Sequence, residues 1–374
     1  MSNVLYITNH DPWGIGGGSF ASAMFFRTFR KIFLDDNIDL CVADNCRIPS
    51  DIKNINIIPV PKRWIFSQLN SVFTGELNRY KNIGIQLLKS KHYDYVILDH
   101  NSLGILVDYI PASSKSIVIH HNYEPDFYRD NTKSILKRIL FLPRVKQWER
   151  TAYKNCFINI FLTTDDLEQF HEIYGEANGN NIVTGLIEEK DTHITPLSSI
   201  NTDPVRIVIT GSLDNVQNVD GITYFIQDLY PLIPKDIEII IAGKFPAKEL
   251  VSSLSQLSNV NLIPNPKDIS NIICQGSIFL CPARLGSGIK VRISDGLKIG
   301  LPVIAHETSC RGYEEFINHG YMLPFASKTE FSQALNNTIN NLKNKKYNPL
   351  VISKLYLKIT SEDNFIAKMS LLLK

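Results

Sequence analysis

The sequence predicts an α/β protein of two domains, each built on a largely parallel sheet covered by helices. Three observations predict it. Short apolar runs alternate with stretches of helical spacing along most of the chain, the pattern of strands joined by helical crossovers. A strand running into glycines occurs twice, at Val4 to Thr8 ahead of Gly14 to Gly18, and at Val205 to Thr210 ahead of Gly211 and Ser212. The length, 374 residues, exceeds one comfortable core.

Composition excludes several function classes. Hydrophobic residues make up 44% and charged residues 20%, a globular balance with apolar material for two buried sheets. The net charge of +2 leaves no footprint for nucleic acid, and no aromatic and basic interleaving of an RNA-binding kind occurs, so no nucleic-acid partner is expected. The N-terminal MSNVLYITNH lacks a basic region followed by a long apolar one, and no apolar run reaches the roughly 18 residues of a membrane span. The expected place of the protein is therefore the cytosol. Of the six cysteines only Cys41 and Cys46 are close, without a second pair or histidines at zinc spacing, so buried free thiols and no metal site are expected.

In chain order, Val4 to Thr8 is the first strand, and ASAMFFRTFRKIF after the glycine cluster has apolar residues at helical spacing. The glycines do not follow the G-x-G-x-x-G order, which fails at Ser19, so a dinucleotide site is not indicated. Further strands are expected at Ile38 to Ala43, Ile55 to Val60, Tyr95 to Leu98 and Ile117 to His120. PKRWIFSQLNSVF, with Lys62 and Arg63 before Trp64 to Phe73, reads as a core-facing helix, with contact to a membrane surface as the lesser reading. His120, His121, Asn122 and Glu124 fall at the carboxyl edge of the sheet, where ligands collect; adjacent histidines point to opposite sides, so one of the two is expected to be structural. A helix from about Asn131 to Asn155 should kink or divide at Pro143, and Asp165 and Asp166 read as the cap of the next helix.

Periodicity disappears between Lys190 and Pro204, which places a linker at 191–204 between domains at 1–190 and 205–374. The second domain continues with a helix over Asn218 to Leu229 and strands at Ile237 to Ala242, Val260 to Ile263, Ile278 to Leu280 and Pro302 to Ala305. Helices around Thr329 to Lys343 and Asp363 to Leu373 end the pattern, and the last is expected to be able to pack back on the first domain.

CPARLGSGIKVRISDGLKIGLPVIA, from Cys281 to Ala305, is the stretch where chemistry is expected. Glycines let the backbone approach a ligand, and a helix N-terminus welcomes phosphate oxygens. Lys290 and Arg292 stand where acidic residues would suit the helix dipole better, and a bound diphosphate explains them.

These residues carry a resemblance. ITGSLDNVQNVDGITYF and GSGIKVRISDGLKIGLPVIA resemble the donor-domain opening and the sugar-nucleotide signature of the glycosyltransferase family 4 group. HNYE from His121 to Glu124, with WERTAY around Glu149, resembles bacterial polysaccharide members. The resemblance implies two facing Rossmann-like domains, the GT-B fold. It also implies transfer of a sugar from a UDP or GDP type of donor to a hydroxyl acceptor, with retention at the anomeric carbon and without a prosthetic group or metal. By the same resemblance Lys290 and Arg292 lie by the donor diphosphate and His121 near the transferred sugar, the three catalytic candidates. Gly17 and Gly18 face the diphosphate, Asp295 meets the ribose where the family more often has Glu, and Gly211, Ser212, Gly286, Ser287 and Gly288 complete the nucleotide site. Ser287 stands where many members carry an acid that holds the donor sugar.

The expected acceptor is a saccharide, a lipid-linked saccharide or a glycoprotein: the HNYE resemblance implies surface polysaccharide or glycoconjugate assembly, and the basic and aromatic stretch from Lys62 to Phe73 suggests a lipid-linked acceptor at the inner membrane face. Three other readings stand beside this one. A sugar-nucleotide epimerase would share the architecture but wants carboxylates poised for proton transfer. A non-catalytic, sugar-nucleotide-binding partner subunit would account for Ser287. A nicotinamide-dependent oxidoreductase lacks its glycine fingerprint here.

Overall fold

Near-continuous apolar runs form the strands, as they must when both faces of a parallel sheet are covered. The computed structural model describes all residues except 1, 15, 50–51, 53, 62–78, 133, 191–193, 287 and 374. Val4 to Ile7 in β1 (Asn3–Thr8) and Ile239 to Ala242 in β9 (Glu238–Lys244) are almost wholly buried. β1 pairs in parallel with β2 (Asn37–Ala43) on one side and β4 (Tyr95–Asp99) on the other. With β3 (Ile55–Val60), β5 (Lys115–His120), β6 (Ile158–Phe161) and β7 (Asn180–Val183), the order is β3-β2-β1-β4-β5-β6-β7. The second sheet contains β8 (Arg206–Ser212), β10 (Val260–Pro264), β11 (Ile278–Cys281), β12 (Val303–His306) and β13 (Met322–Phe325), ordered β10-β9-β8-β11-β12-β13 and parallel throughout. The α/β expectation of two parallel sheets is met. Each sheet reverses its order once, between β1 and β4 and between β8 and β11, and such reversals open the crevice in which ligands of doubly wound sheets bind.

The chain divides into two compact units, residues 1–190 with 361–374, and residues 191–360. The terminal helix Glu362–Leu373 belongs to the first unit, as the sequence allowed. Its Phe365 packs edge-on to Phe25 and Phe29, and its buried Glu362 receives Lys31 Nζ at 2.7 Å. The stretch expected as a linker clusters with the second unit: Leu197 N–H donates to Ile299 O at 2.9 Å, and Ser277 Oγ to Asn201 O at 2.5 Å.

Several local expectations are corrected. Gly17 and Gly18 open the helix Gly17–Ile32 rather than lying in a loop before it, with Gly16 at its cap at φ 118°. Pro143 does not divide the helix Ile135–Asn155; it sits on the exposed side, where water can meet the carbonyl its missing N–H leaves free. The cap of Thr164–Tyr174 is Thr163, whose hydroxyl accepts from Asp166 N–H at 3.0 Å, and Asp165 and Asp166 occupy the first turn. The helix expected over Asn218 to Leu229 is an α-helix Val216–Tyr224 running on as a π-helical turn, Phe225–Leu229. A further helix, Pro349–Ile359, packs against the helix Val291–Ile299. The basic and aromatic stretch from Lys62 to Phe73 lies outside the described residues.

Candidate functional site

In the second unit the site is built at the carboxyl ends of β8 and β11, at the reversal of strand order. β8 ends in Gly211 and Ser212, and the helix Val216–Tyr224 then starts from Asn215, whose side chain accepts from Gln217 N–H at 2.9 Å. Asn218, buried on that helix, donates through Nδ2 to Ser212 O at 2.7 Å and so ties the glycine turn to the helix. Its Oδ1 is buried without a hydrogen-bond partner.

The helix Val291–Ile299 begins opposite that turn. Its cap is Lys290, which supplies no side-chain acceptor, and no acidic residue stands in its first turn. The positive end of the helix therefore keeps its N–H groups and gains two cations. Lys290 is only 6% exposed, and its ammonium lies 3.4 Å from Gln217 Oε1. Arg292 donates to Thr210 O at 3.3 Å and passes so close to Gly211 that a Cβ there would lie 2.5 Å from Nη1. Gly286, at φ 93°, lies against the Gln217 side chain, 2.3 Å from the place a Cβ would take. Gln217 thus joins Gly286 to Lys290. Gly288 is buried beside it at φ 71°, and Ser287 lies outside the described residues. Asp295, half-buried one turn after Arg292, helps burial push up the Tyr313 phenol, whose hydroxyl donates to Lys290 O at 2.9 Å. Two cations, an uncapped helix end and amide side chains converge, which is the donor set for a phosphate-bearing ligand.

In the first unit the reversal between β1 and β4 holds a group of histidines. His10 follows β1, His100 follows β4 and His121 follows β5, with ring centroids 5.0 Å (His10 to His100), 5.5 Å (His10 to His121) and 5.4 Å (His100 to His121) apart. His121 Nε2 lies 2.6 Å from Oδ1 of the fully buried Asp99. Burial alone would raise the Asp99 carboxyl, yet His121, the Ser22 hydroxyl and His10 together hold it below its ordinary value. An ionised Asp99 accepts from Nε2–H and so fixes the orientation of the His121 ring. Burial, then His121, lowers His10 to about 4; burial, then His10 and His121, holds His100 well down. His100 takes φ 137°, a strained conformation for a side-chain-bearing residue, and its ring caps the following turn at Ser102 N–H, 3.1 Å away. Gly18 admits the His10 ring, which would lie 2.6 Å from a Cβ at that position, whereas Gly17 faces open space.

Glu124 lies 3.6 Å from His100 Nε2, and burial pushes its carboxyl up to about 8. Behind it Glu149 accepts from Asn101 Nδ2 at 2.6 Å, Glu124 N–H at 2.8 Å and Tyr174 Oη at 2.9 Å. His120 turns to the other side of the sheet, stacked on Phe161 and 2.7 Å from Asn159 Oδ1, so it is the structural member of the histidine pair.

The structure thus brings Gly211, Ser212, Gly286, Gly288, Lys290 and Arg292 together in one unit, with Asp295 a turn away, and His121 with Gly18 in the other. Gln217, Asn218 and Tyr313 in the second unit, and His10, Asp99 and His100 in the first, were not singled out from the sequence. Asp99 and His100 carried a signal, because they directly follow the strand expected at Tyr95 to Leu98, at the edge where ligands collect.

Residues 204–341 match the family model described as "Glycosyl transferases group 1". No curated protein matches the chain in sequence. Solved structures that resemble it over its full length include sucrose-phosphate synthase from Thermosynechococcus elongatus, at 11% identity and TM-score 0.72 over 98% of that chain. HepE of Anabaena in complex with UDP is 12% identical, at TM-score 0.71 over 99% of its chain. The pneumococcal O-GlcNAc transferase GtfA in complex with UDP and GlcNAc is also 12% identical, at TM-score 0.63 over 98% of its chain. By these matches residues 204–341 are similar to group 1 glycosyltransferases, and the fold of the chain is that of the GT-B glycosyltransferases.

Proposed function

We propose that this chain is a retaining glycosyltransferase, taking a sugar from a nucleoside-diphosphate sugar of UDP or GDP type to a hydroxyl acceptor. The observation that carries it is the convergence of Lys290 and Arg292 on the uncapped end of Val291–Ile299, beside Gly211 and Gln217. The UDP held by HepE and GtfA supports the uridine form of the donor.

In the reaction the bond between the anomeric carbon and the diphosphate oxygen breaks, a bond to the acceptor oxygen forms, and the acceptor proton passes to the departing diphosphate. Negative charge grows on the departing diphosphate. Lys290, Arg292 and the helix N–H groups, already in place, stabilise it without reorganisation. Asp295 meets the ribose, and Gly211, Ser212, Gly286, Ser287 and Gly288 let backbone amides reach the nucleotide. Gly17 and Gly18, at the start of the helix Gly17–Ile32, offer backbone amides to a phosphate oxygen. His121, held in place by Asp99, orients a hydroxyl of the sugar. The acceptor is a saccharide, a lipid-linked saccharide or a glycoprotein of bacterial surface assembly, met on the cytoplasmic side.

The test is transfer by the pure chain with a panel of UDP and GDP sugars. Lys290→Ala is expected to abolish transfer with the circular dichroism spectrum unchanged; full activity in that variant contradicts the assignment. Binding of the donor without transfer or hydrolysis by the native chain would instead point to a sugar-nucleotide-binding partner subunit.

A further inference from the structure

The helix Ile135–Asn155 covers the first unit with Phe141, Val145, Trp148 and Ala152, all buried. Its other side is unusual. Ile135, Leu136, Ile139 and Leu140 share one arc of the helix, the i, i+1, i+4, i+5 set, and are 71%, 68%, 67% and 44% exposed. Farther along the same outward side stand Lys146 and Arg150, with Arg144 at its margin, all exposed. The outward face is therefore graded along the helix axis, an apolar first part followed by a basic band. From residue 131 to residue 148 the sequence has Lys133, Lys137, Arg138, Arg144 and Lys146 and no Asp or Glu.

We infer that this face docks on an anionic lipid bilayer. The apolar end enters the boundary between headgroups and acyl chains, and the basic band meets lipid phosphates. Large aliphatic side chains clustered in water mark an interaction surface, and scattered single ones do not. The charge decides the occupant. A second copy of the chain would bring a like-charged band to the same place, whereas an anionic leaflet attracts each Lys or Arg near it. An interfacial helix with aliphatic and basic sides lies on a bilayer rather than through it, in keeping with the finding that no helix among the described residues is long and apolar enough to cross one. The inference does not depend on the transferase reading. It does bring the first unit to where a lipid-linked acceptor would be met.

The experiment is co-sedimentation of the full chain with extruded vesicles, of phosphatidylcholine alone or with phosphatidylglycerol as about a third of the lipid. Binding is expected only to the mixed vesicles and should weaken as salt rises. Ile135→Ser with Ile139→Ser, and separately Lys146→Glu with Arg150→Glu, should each weaken binding by about tenfold or more. Both pairs are exposed, so melting temperature and nucleotide binding should stay as in the native chain, which keeps this test separate from the donor site. Absence of binding to mixed vesicles, or equal binding by both variants, overturns the inference. So does a concentration-dependent dimer in sedimentation velocity that Ile135→Ser with Ile139→Ser abolishes, because the face would then belong to a second copy.

Discussion

Asp99 Oδ1 and His121 Nε2 lie 2.6 Å apart, with the carboxylate wholly buried and the imidazole nearly so. The carboxylate comes from the end of β4 and the histidine follows β5, so the pairing of two neighbouring strands sets the ring's orientation. Asp99→Asn replaces a pure acceptor by an amide that can donate or accept, and the imidazole tautomer is then no longer fixed. The expected result is a fall in kcat on the order of 10²-fold with the donor KM nearly unchanged. Steady-state kinetics check it, and an unchanged kcat removes His121 from the account.

Gly211 tests the diphosphate site without touching a charge. A Cβ there would lie 2.5 Å from Arg292 Nη1 and 3.0 Å from Asn218 Nδ2. Both atoms end side chains that can swing aside, but φ 159° is a backbone conformation that side-chain-bearing residues rarely adopt, so Gly211→Ala should lower thermal stability as well as displace the guanidinium. Nucleotide affinity is expected to fall about tenfold, the scale of a weakened charge-assisted hydrogen bond. Titration calorimetry beside a melting curve separates the two effects.

Glu124 makes stability depend on pH. Burial raises its carboxyl from 4.5 to about 8, so the folded chain holds the proton more tightly than the unfolded chain. Its contribution is complete below about 4.5 and is lost as pH rises to about 8. Glu124→Gln removes this titration. The melting temperature of the variant relative to the native chain should rise across that window and level off above it, by up to a few kcal/mol in stability. Parallel pH profiles would show that Glu124 is not held neutral.

The terminal helix is part of the first unit's core. Phe365, Met369 and Leu373 are buried, and Leu373 O accepts from Lys115 Nζ at 2.6 Å. Ending the chain after Thr360 should destabilise the first unit by several kcal/mol, from the lost burial of three large side chains. Differential scanning calorimetry would show it as a transition moved to lower temperature.

Much of the fold was legible because buried parallel strands are written as unbroken apolar runs, from Val4 to Ile7 and from Ile239 to Ala242. Lys290 and Arg292 were legible because they are neighbours in sequence and sit against the dipole of a helix that periodicity reveals. The histidine group was not. His10, Asp99, His100 and His121 come from three strand ends, and only the order of the sheet assembles them. Gln217 escaped notice for a similar reason, since it acts through Gly286 and Lys290 on a distant part of the chain. Pro143 does not divide its helix because it lies on an exposed face, where water replaces the hydrogen bond that proline cannot make.

The most direct test of the central claim is calorimetric titration of the native chain and Lys290→Ala with UDP and with GDP. The account predicts saturable binding of at least one of them by the native chain, weakened at least about tenfold in Lys290→Ala as a charge-assisted contact to phosphate is lost. Failure of both nucleotides to bind, or equal affinity in the variant, would contradict it.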